Sequence, residues 1–270
     1  MNNGNMTFIR ETIERRSGIA LDEDKAYLIE NRLEAIVESS EYPDLDSLIN
    51  QLRLNQEDGL WSRLIEALTT NETSFFRDLH PFFALERDIL PKMIEAREED
   101  RQLRILSAGC SSGQETFSIA MAIDAGFPQL TDWTVDILGV DISPEMIDRC
   151  QTGVYKQLEV QRGLPAIKLL KYFKQDGLTF SINEQLKTMT RFEQRNIVDA
   201  WPSGERFDII FLRNVLIYFS QEGQKTVLHN IREHLAPDGY LLLGVENAAE
   251  LDDSFQRETI GQATVYRLRP

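Results

Sequence analysis

The chain has 270 residues, 42% hydrophobic and 27% charged, which is the composition of an ordinary globular protein with a sizeable core. Its net charge of −15 at pH 7 disfavours nucleic-acid partners, because those binders neutralise phosphates with lysine and arginine. The sequence shows no signal-like segment or membrane-length apolar run, and two cysteines suggest no disulfide framework. We therefore expect a cytoplasmic protein with no direct membrane insertion.

The first 70 residues carry apolar side chains at helical spacing and show no strand-like alternation. Amphipathic patterns over 22–40, 45–54 and 59–70 predict an all-α N-terminal domain, residues 1–70. The segment TTNETSFFRD then breaks the pattern, and a helix restarts at His80 with Pro81 in its first turn. We assign residues 71–97 to a linker and connecting helix.

From residue 98 the sequence pattern changes to short apolar runs separated by segments with helical periodicity. The runs are LRILSAG, TVDILGVD, RFDIIFLRN and GYLLLGV, and the helical patterns cover 113–125, 143–150 and 221–235. This alternation predicts an α/β fold with a doubly wound, mostly parallel sheet, that is, a Rossmann-like domain over 98–270. The final GQATVYRLRP predicts an antiparallel strand at the sheet edge. Residues 165–195 do not fit the rhythm, and the turn Asp176-Gly177 predicts a small β insertion there.

The loop SAGCSSGQE follows the first predicted strand. Dinucleotide sites use G-x-G-x-x-G to bring pyrophosphate onto a helix N-terminus, and the spacing from Gly109 to Gly113 differs from that pattern. Glu115 would also place a negative charge where phosphate needs a positive one. An acid there favours a ligand with an ammonium and a sulfonium group, S-adenosylmethionine. Asp141, which ends the next strand, is suited to ribose hydroxyls. The alternative is that Glu115 is an ordinary helix-start acid and Asp141 an N-cap.

Four segments resemble one family. TNETSFFRD, SAGCSSGQETFSIAM, VDIS and FLRNVLIYF are similar to the chemotaxis receptor methyltransferases, the CheR family, and the resemblance covers nearly the whole chain. It implies a protein-glutamate O-methyltransferase, which uses S-adenosylmethionine to methylate glutamate side chains of bacterial chemoreceptors and releases S-adenosylhomocysteine. The implied partner is the cytoplasmic helical domain of methyl-accepting chemoreceptors, and we expect a monomer.

The resemblance also implies the site residues. The family's proposed catalytic pair falls on Arg77 and Tyr218. Its cofactor contacts fall on Asn71, Thr73, Arg77, Glu115, Asp141, Asn196, Ile197, Leu212 and Arg213. No metal-ligand spacing is found, and the three histidines lie outside these motifs, so we expect neither a metal nor a catalytic histidine.

One departure from the family concerns the β insertion. Family members that recognise a receptor's C-terminal pentapeptide tether carry a longer loop than YFKQDGLTF, so we expect tether-independent methylation. Arg32, in the N-terminal domain, is our candidate for docking the receptor helix. Two alternatives stay open: a methyltransferase for small carboxylates or amines with the same cofactor site, and a module that binds S-adenosylhomocysteine without turnover.

Overall fold

The computed structural model describes residues 1–21, 26–54, 58–244 and 253–269. These residues form two compact units. The first is Met1–Thr70 with Tyr218–Gln224, and the second is Asn71–Ile217 with Lys225–Pro270. The return of Tyr218–Gln224 to the N-terminal unit is a feature that no pattern in the sequence predicted. Among the described helices, none combines the length and apolar character needed to cross a bilayer.

The first unit is built on helices. They are α1 (Asn3–Ser17), α2 (Ala26–Glu38), α3 (Leu45–Leu54) and α4 (Asp58–Leu68). Helix α1 begins where the Asn2 side chain accepts the Asn5 N–H, and it ends at Gly18, whose left-handed backbone returns an N–H to Glu14. The apolar stripes predicted from the sequence are buried, for example at Ile13 and Leu33. Residues 22–25, the start of one predicted helix, lie outside the described residues.

Two backbone contacts tie the returning segment to this unit. The Ala20 N–H donates to the Tyr218 carbonyl at 2.8 Å, and Ile19 forms an antiparallel bridge with Phe219. Tyr218 itself ends a short 3-10 turn, Leu216–Tyr218. The position of Tyr218 is therefore coupled to the loop that follows α1.

The second unit opens with a connecting helix that changes its winding. It runs as α5 (His80–Ala84), a π-helical turn (Leu85–Ile89) and α6 (Leu90–Ala96). Pro81 occupies the first turn of α5, as predicted. Pro91 lacks the N–H that an α-helix would donate to Arg87, which explains why the winding widens just before it.

The remaining helices alternate with the strands. They are α7 (Gln114–Gly126), α8 (Pro144–Thr152), α9 (Gln157–Gln161), α10 (Ala166–Tyr172), α11 (Glu184–Lys187) and α12 (Gln221–His234). The strands are β1 (Gln102–Ala108), β2 (Thr134–Asp141), β3 (Val154–Lys156), β4 (Phe173–Asp176), β5 (Thr179–Ile182), β6 (Thr190–Gln194), β7 (Phe207–Leu212), β8 (Leu235–Leu243), β9 (Phe255–Ile260) and β10 (Ala263–Leu268).

A seven-stranded sheet with the order β6-β2-β1-β7-β8-β10-β9 forms the core of this unit. Neighbouring strands from β6 to β8 are parallel, while β10 pairs antiparallel with both β8 and β9. Strand β7 is buried at every position, as expected for a parallel strand covered on both faces. The predicted fold class, a Rossmann-like domain preceded by an all-α domain, is confirmed. The C-terminal strand β10 lies one place in from the edge, because β9 pairs outside it.

The β insertion differs from its predicted extent. Its three-stranded sheet has the order β3-β5-β4, so it already includes Val154–Lys156, before the predicted start at 165. Strand β6, which we placed inside the insertion, pairs with β2 in the large sheet. Residues in β6 are mostly half-buried and mixed in polarity, so its place in the sheet was not visible as an apolar run.

Candidate cofactor site

The glycine loop and two predicted site residues, Asp141 and Arg213, lie at the carboxyl ends of adjacent strands. Strand β1 lies between β2 and β7, with Ala108 opposite Val140 and Ser107 opposite Phe211. The glycine loop, Asp141 and Arg213 therefore emerge at one edge of the sheet. In open α/β sheets, ligands bind at this edge.

The glycine loop makes a tight turn after β1. Both the Gly109 and Cys110 N–H groups donate to the Val140 carbonyl, at 2.8 and 2.9 Å. Gly109 has a φ of +72°, and a Cβ there would lie 2.5 Å from Val215 Cγ2. Glycine is therefore required at this position by both the backbone angle and the space available.

Asp141 holds the loop from the neighbouring strand. Its Oδ2 accepts the Ser111 N–H at 2.7 Å, and its Oδ1 accepts the Ser143 N–H at 3.0 Å. Helix α8 is capped by Ser143, whose side chain accepts the Met146 N–H, so Asp141 is not the N-cap. A carboxylate oxygen can accept more than one hydrogen bond, so a carboxylate bonded to backbone N–H groups can also accept from a ligand hydroxyl.

Glu115 is paired rather than free. Its Oε1 accepts from Ser107 Oγ at 2.9 Å, and its Oε2 accepts from Arg213 Nη1 at 2.7 Å. Arg213 also donates from Nη2 to Asp78 Oδ2 at 2.8 Å and to the Arg77 carbonyl at 2.9 Å. Two carboxylates thus share one guanidinium, and the group retains one negative charge in excess. Glu115, which we predicted as an acid of the site, is therefore part of a negatively charged cluster and is not an isolated charge.

A second feature of this cluster also fits a cofactor that carries a carboxylate together with positively charged groups. The Arg213 side chain is 2% exposed, and its Nε has no hydrogen-bond partner within the described residues. A buried donor without a partner costs free energy, so a ligand acceptor such as a carboxylate would satisfy it. The excess negative charge beside it suits an ammonium or sulfonium group.

The TNETSFFRD segment lies against the same loop. The Asn71 carbonyl accepts from Ser111 Oγ at 2.9 Å, and the Phe76 N–H donates to Ser118 Oγ at 3.0 Å. Arg77 Nη1 donates to the Glu72 carbonyl at 3.1 Å. Positive φ angles at Phe76 and, two residues on, Asp78 indicate backbone strain in this turn, of the kind often found at functional sites.

The other predicted contact residues lie near the same edge of the sheet or within the motif segments. Asn196 and Ile197 follow β6, next to the end of β2, and Asn230 Nδ2 donates to the Ile197 carbonyl at 3.1 Å. Leu212 is buried at the end of β7, and Thr73 is half-buried within its motif.

Sequence reasoning missed residues that support the site from a distance along the chain. Tyr155, on β3 of the insertion, donates its hydroxyl to the Ser112 carbonyl at 2.7 Å and is 1% exposed. Burial raises the pKa of Tyr155 well above its usual value, so the hydroxyl remains a donor. Its role is invisible in sequence because 43 residues separate the partners. Asp78, by contrast, is the last residue of the motif TNETSFFRD, but it was not among the predicted site residues.

Both cysteines are buried, Cys110 within the glycine loop and Cys150 on α8. Cys150 Sγ donates to the Ser111 carbonyl at 3.1 Å, and Cys110 is 1% exposed. Burial raises the pKa of the Cys110 thiol well above its ordinary value, which disfavours the nucleophilic thiolate. Within the described part of the chain, no three His, Cys, Asp or Glu side chains cluster in a way that could hold a metal ion.

Comparison with known proteins gives two matches that together span almost the whole chain. Residues 5–69 match the family described as "CheR methyltransferase, all-alpha domain", and residues 71–264 match "CheR methyltransferase, SAM binding domain". The chain is 36% identical to chemotaxis protein methyltransferase Cher2 of Pseudomonas putida, covering 100% of both chains. It is 36% identical to chemotaxis protein methyltransferase 1 of Pseudomonas aeruginosa, covering 99% of this chain and 98% of that one. The Vibrio parahaemolyticus chemotaxis protein methyltransferase is 36% identical, covering 95% and 94%.

Proposed function

The chain belongs to the CheR methyltransferase family, and from that premise we propose that it methylates glutamate side chains of bacterial chemoreceptors. The observation that carries the proposal is the match of both family models, over residues 5–69 and 71–264, the second of which includes Arg77. The cofactor is S-adenosylmethionine, whose sulfonium supplies the methyl group. The product on the receptor would be a glutamate methyl ester.

The residues that would hold the cofactor divide by charge. We assign Asp141 to the ribose hydroxyls, because it is an acid at the end of β2, where nucleoside-binding α/β folds place such a residue. We assign Arg213 to the cofactor's carboxylate through its Nε, which has no hydrogen-bond partner in the described part of the chain. Asp78 and Glu115 supply the excess negative charge that favours a cation. Asn71, Thr73, Asn196, Ile197 and Leu212 complete the proposed contact set through the family motifs.

Methyl transfer to a glutamate needs no general base. A glutamate carboxyl with a pKa of about 4.3 is already ionised at neutral pH. The enzyme must instead hold one carboxylate oxygen in line with the methyl group, and such positioning can supply roughly 7–11 kcal/mol of a barrier. We assign this orienting role to Arg77 and Tyr218.

Arg77 is suited to orientation. Its backbone carbonyl is held by Arg213, and one of its N–H groups donates to the Glu72 carbonyl. A guanidinium has five donor hydrogens in a planar fork, so others remain for a carboxylate. A grip that stabilised the ionised substrate more than the transition state would slow transfer, because carboxylate charge is lost on methylation.

We also propose that recognition does not use a C-terminal pentapeptide tether. Strands β4 and β5 are joined by the two residues Gly177 and Leu178 alone, which supports the short-loop interpretation. We place the protein in the cytoplasm, where receptor signalling domains are exposed, and expect it to act as a monomer.

The test is labelled methyl transfer to purified receptor cytoplasmic fragments made with and without a pentapeptide extension. We expect base-labile label on both fragments at rates within about twofold of each other. If methyl transfer required the pentapeptide extension, the proposal of tether independence would be wrong and the proposed methyltransferase activity would stand. Transfer to free carboxylic acids but not to fragments would favour the small-molecule alternative, and S-adenosylhomocysteine binding without any transfer would favour a regulatory module.

A further inference from the structure

The β insertion contacts two parts of the candidate site through one side chain, Tyr155. Its hydroxyl donates to the Ser112 carbonyl of the glycine loop at 2.7 Å. Its ring meets the Phe75 ring edge to face, with the ring centres 5.1 Å apart and the planes at 72°. Phe75 lies two residues before Arg77 in the TNETSFFRD segment. Tyr155 therefore joins the insertion both to the glycine loop and to the segment that bears Arg77.

A third aromatic ring completes this contact. Phe173, on β4, lies edge to face against Phe75 at 5.6 Å and against Tyr155 at 6.2 Å. Phe75 is fully buried. Aromatic rings at these distances and angles attract each other through their quadrupoles, in addition to the area that they bury. Two strands of the insertion, β3 and β4, thus fix the position of the Phe75 ring.

The backbone of the same segment is packed just as closely. Gly163, between α9 and α10, has a φ of +83°, and a Cβ there would overlap the Phe75 carbonyl oxygen. Arg162 pairs with Glu72, whose carbonyl accepts from Arg77 Nη1 at 3.1 Å. That ion pair is exposed, so it contributes little. The close backbone approach and the buried rings therefore provide most of the restraint on this segment.

The TNETSFFRD segment needs such a restraint because the backbone around it is strained. Phe76, Asp78 and the next residue, Leu79, have φ values of +50°, +66° and +41°, which non-glycine residues rarely adopt. Such conformations persist only where the surrounding structure enforces them. The insertion packs against Phe75, directly before the strained turn, and so it limits where the Arg77 side chain can lie.

We propose that Tyr155 and Phe75 are positioning residues for methyl transfer, and that the β insertion is thereby a structural part of the active site. The Tyr155 hydroxyl holds the glycine loop in the shape that the cofactor needs. The rings of Tyr155 and Phe75 hold Arg77 where it can orient the accepting carboxylate. The part that concerns Arg77 rests on the proposed function, whereas the part that concerns the loop rests on cofactor binding alone.

The hydroxyl is tested with two buried tyrosines of the insertion. Tyr155→Phe removes the bond to Ser112 and keeps the ring. Tyr172→Phe is the matched control, because the Tyr172 hydroxyl donates to Asp124 at 2.7 Å, near the other end of α7. We expect calorimetric affinity for S-adenosylmethionine to fall by about fivefold in Tyr155→Phe, because the loop carbonyl loses its buried donor, and by less than about twofold in Tyr172→Phe. Wild-type affinity in Tyr155→Phe, or equal losses in the two variants, would overturn the role of the hydroxyl.

The rings are tested with two fully buried phenylalanines. Phe75→Leu removes the aromatic contact, and Phe207→Leu is the control, because Phe207 begins β7 at the edge of the sheet opposite to Arg213. The measurements are kcat and KM for methylation of a receptor cytoplasmic fragment at saturating cofactor, with denaturant unfolding of each variant. We expect Phe75→Leu to lower kcat by about tenfold and to keep cofactor affinity within about threefold of wild type. Phe207→Leu should lose comparable stability and keep kcat within about twofold of wild type.

Two further variants separate the contacts. Tyr155→Phe retains the ring, so its kcat at saturating cofactor should stay within about twofold of wild type. Phe173→Leu removes a half-buried ring of the same cluster and should lower kcat by about threefold. Equal kcat in Phe75→Leu and Phe207→Leu, or wild-type kcat in Phe173→Leu, would overturn the positioning of Arg77 while the proposed function stood. A wild-type chain that leaves the fragment unmethylated would refute the proposed function and the Arg77 part of the inference, and the affinity of Tyr155→Phe would still decide the loop part.

Discussion

Arg213 is the residue on which the candidate site converges. It contacts Glu115 from α7, and it contacts Asp78 and the Arg77 carbonyl from the TNETSFFRD segment. Glu115 and Arg213 were both predicted as site residues, but their pairing across 98 positions was not, because distant ion pairs leave no mark in local sequence patterns. The sequence motifs predicted which residues belong to the site, and the structure shows which of their charges are paired.

The glycine loop offers a test of local geometry. Gly109→Ala would introduce a left-handed alanine and a Cβ 2.5 Å from Val215 Cγ2. The two costs should lower the free energy of unfolding by about 3 kcal/mol. Gly126→Ala is the control, because nothing lies within 4 Å of that position at the end of α7, and it should change stability by less than about 1 kcal/mol. Denaturant unfolding measures both. Equal stability of the two variants would contradict the geometry.

The cysteines test the burial of the loop. Because burial raises the pKa of Cys110, we expect native protein at neutral pH to resist alkylation by N-ethylmaleimide. Unfolding in guanidinium should expose both of the chain's two cysteines to the reagent. Mass spectrometry distinguishes the states. Rapid labelling of Cys110 in the native protein would contradict its burial within the loop.

At the scale of elements, the predictability of each strand follows its burial. Strands β1, β2, β7 and β8 were recognised as apolar runs because parallel strands are covered on both faces. The edge strands β6 and β9 were not, because exposed positions allow polar residues that remove the apolar run. Residue 245, the end of one predicted strand, lies outside the described residues.

The connecting helix is anchored to the sheet by one arginine. Arg97 Nη1 and Nη2 donate to the two oxygens of Asp238, at 2.8 and 2.6 Å. Arg97 Nε donates to Asp208 at 2.7 Å, and Asp208 also accepts the Arg104 N–H. A single side chain thus joins the end of α6 to β1, β7 and β8. Such an anchor was not predictable, because its partners are more than 100 residues away.

Arg97→Met should lower the free energy of unfolding near neutral pH by about 2 kcal/mol, because it leaves Asp208 partly buried without its cation. Hydrogen bonding to Arg97 lowers the pKa of Asp238, so this stabilisation is present above the carboxyl's unfolded pKa of about 3.9 and is lost as pH falls through the lower folded value. The difference in free energy of unfolding between wild type and Arg97→Met should therefore become smaller at acidic pH. Arg101→Met, an exposed control, should stay within about 0.5 kcal/mol of wild type. A gap that widened in acid would contradict the pairing.

At the scale of the whole molecule, charge sets the problem of substrate approach. The chain carries −15, and its proposed substrate is also acidic. Several basic residues of the N-terminal unit are engaged internally, as Arg53 is with Asn5 and the Phe8 ring, whereas Arg32 on α2 is exposed. The domain order was predictable from the change in apolar periodicity. The return of Tyr218–Gln224 was not, because it depends on tertiary pairing with Ile19 and Ala20.

Arg32→Glu tests the docking role predicted for the N-terminal unit. We expect receptor methylation to fall by about tenfold at low salt, because the change replaces an attraction with a repulsion, while cofactor affinity stays constant. Arg101→Glu gives the same change in net charge at an exposed position in the second unit. It should lower receptor methylation by less than about threefold, which is half of the Arg32→Glu effect on a logarithmic scale. Unchanged methylation in Arg32→Glu would remove this residue from the docking surface.

The most direct test of the account is calorimetric titration of S-adenosylmethionine, S-adenosylhomocysteine and NAD into wild type, Glu115→Gln and Glu145→Gln. Glu145 begins α8 as Glu115 begins α7, so its variant controls for an acid in a first helical turn. We predict that wild type binds both sulfur ligands and not NAD. Glu115→Gln should weaken S-adenosylmethionine by about tenfold and S-adenosylhomocysteine less, because only the former carries the sulfonium charge. Binding of NAD by wild type, or an unchanged preference for the charged donor in Glu115→Gln, would contradict the claim that this site is built for a cationic methyl donor.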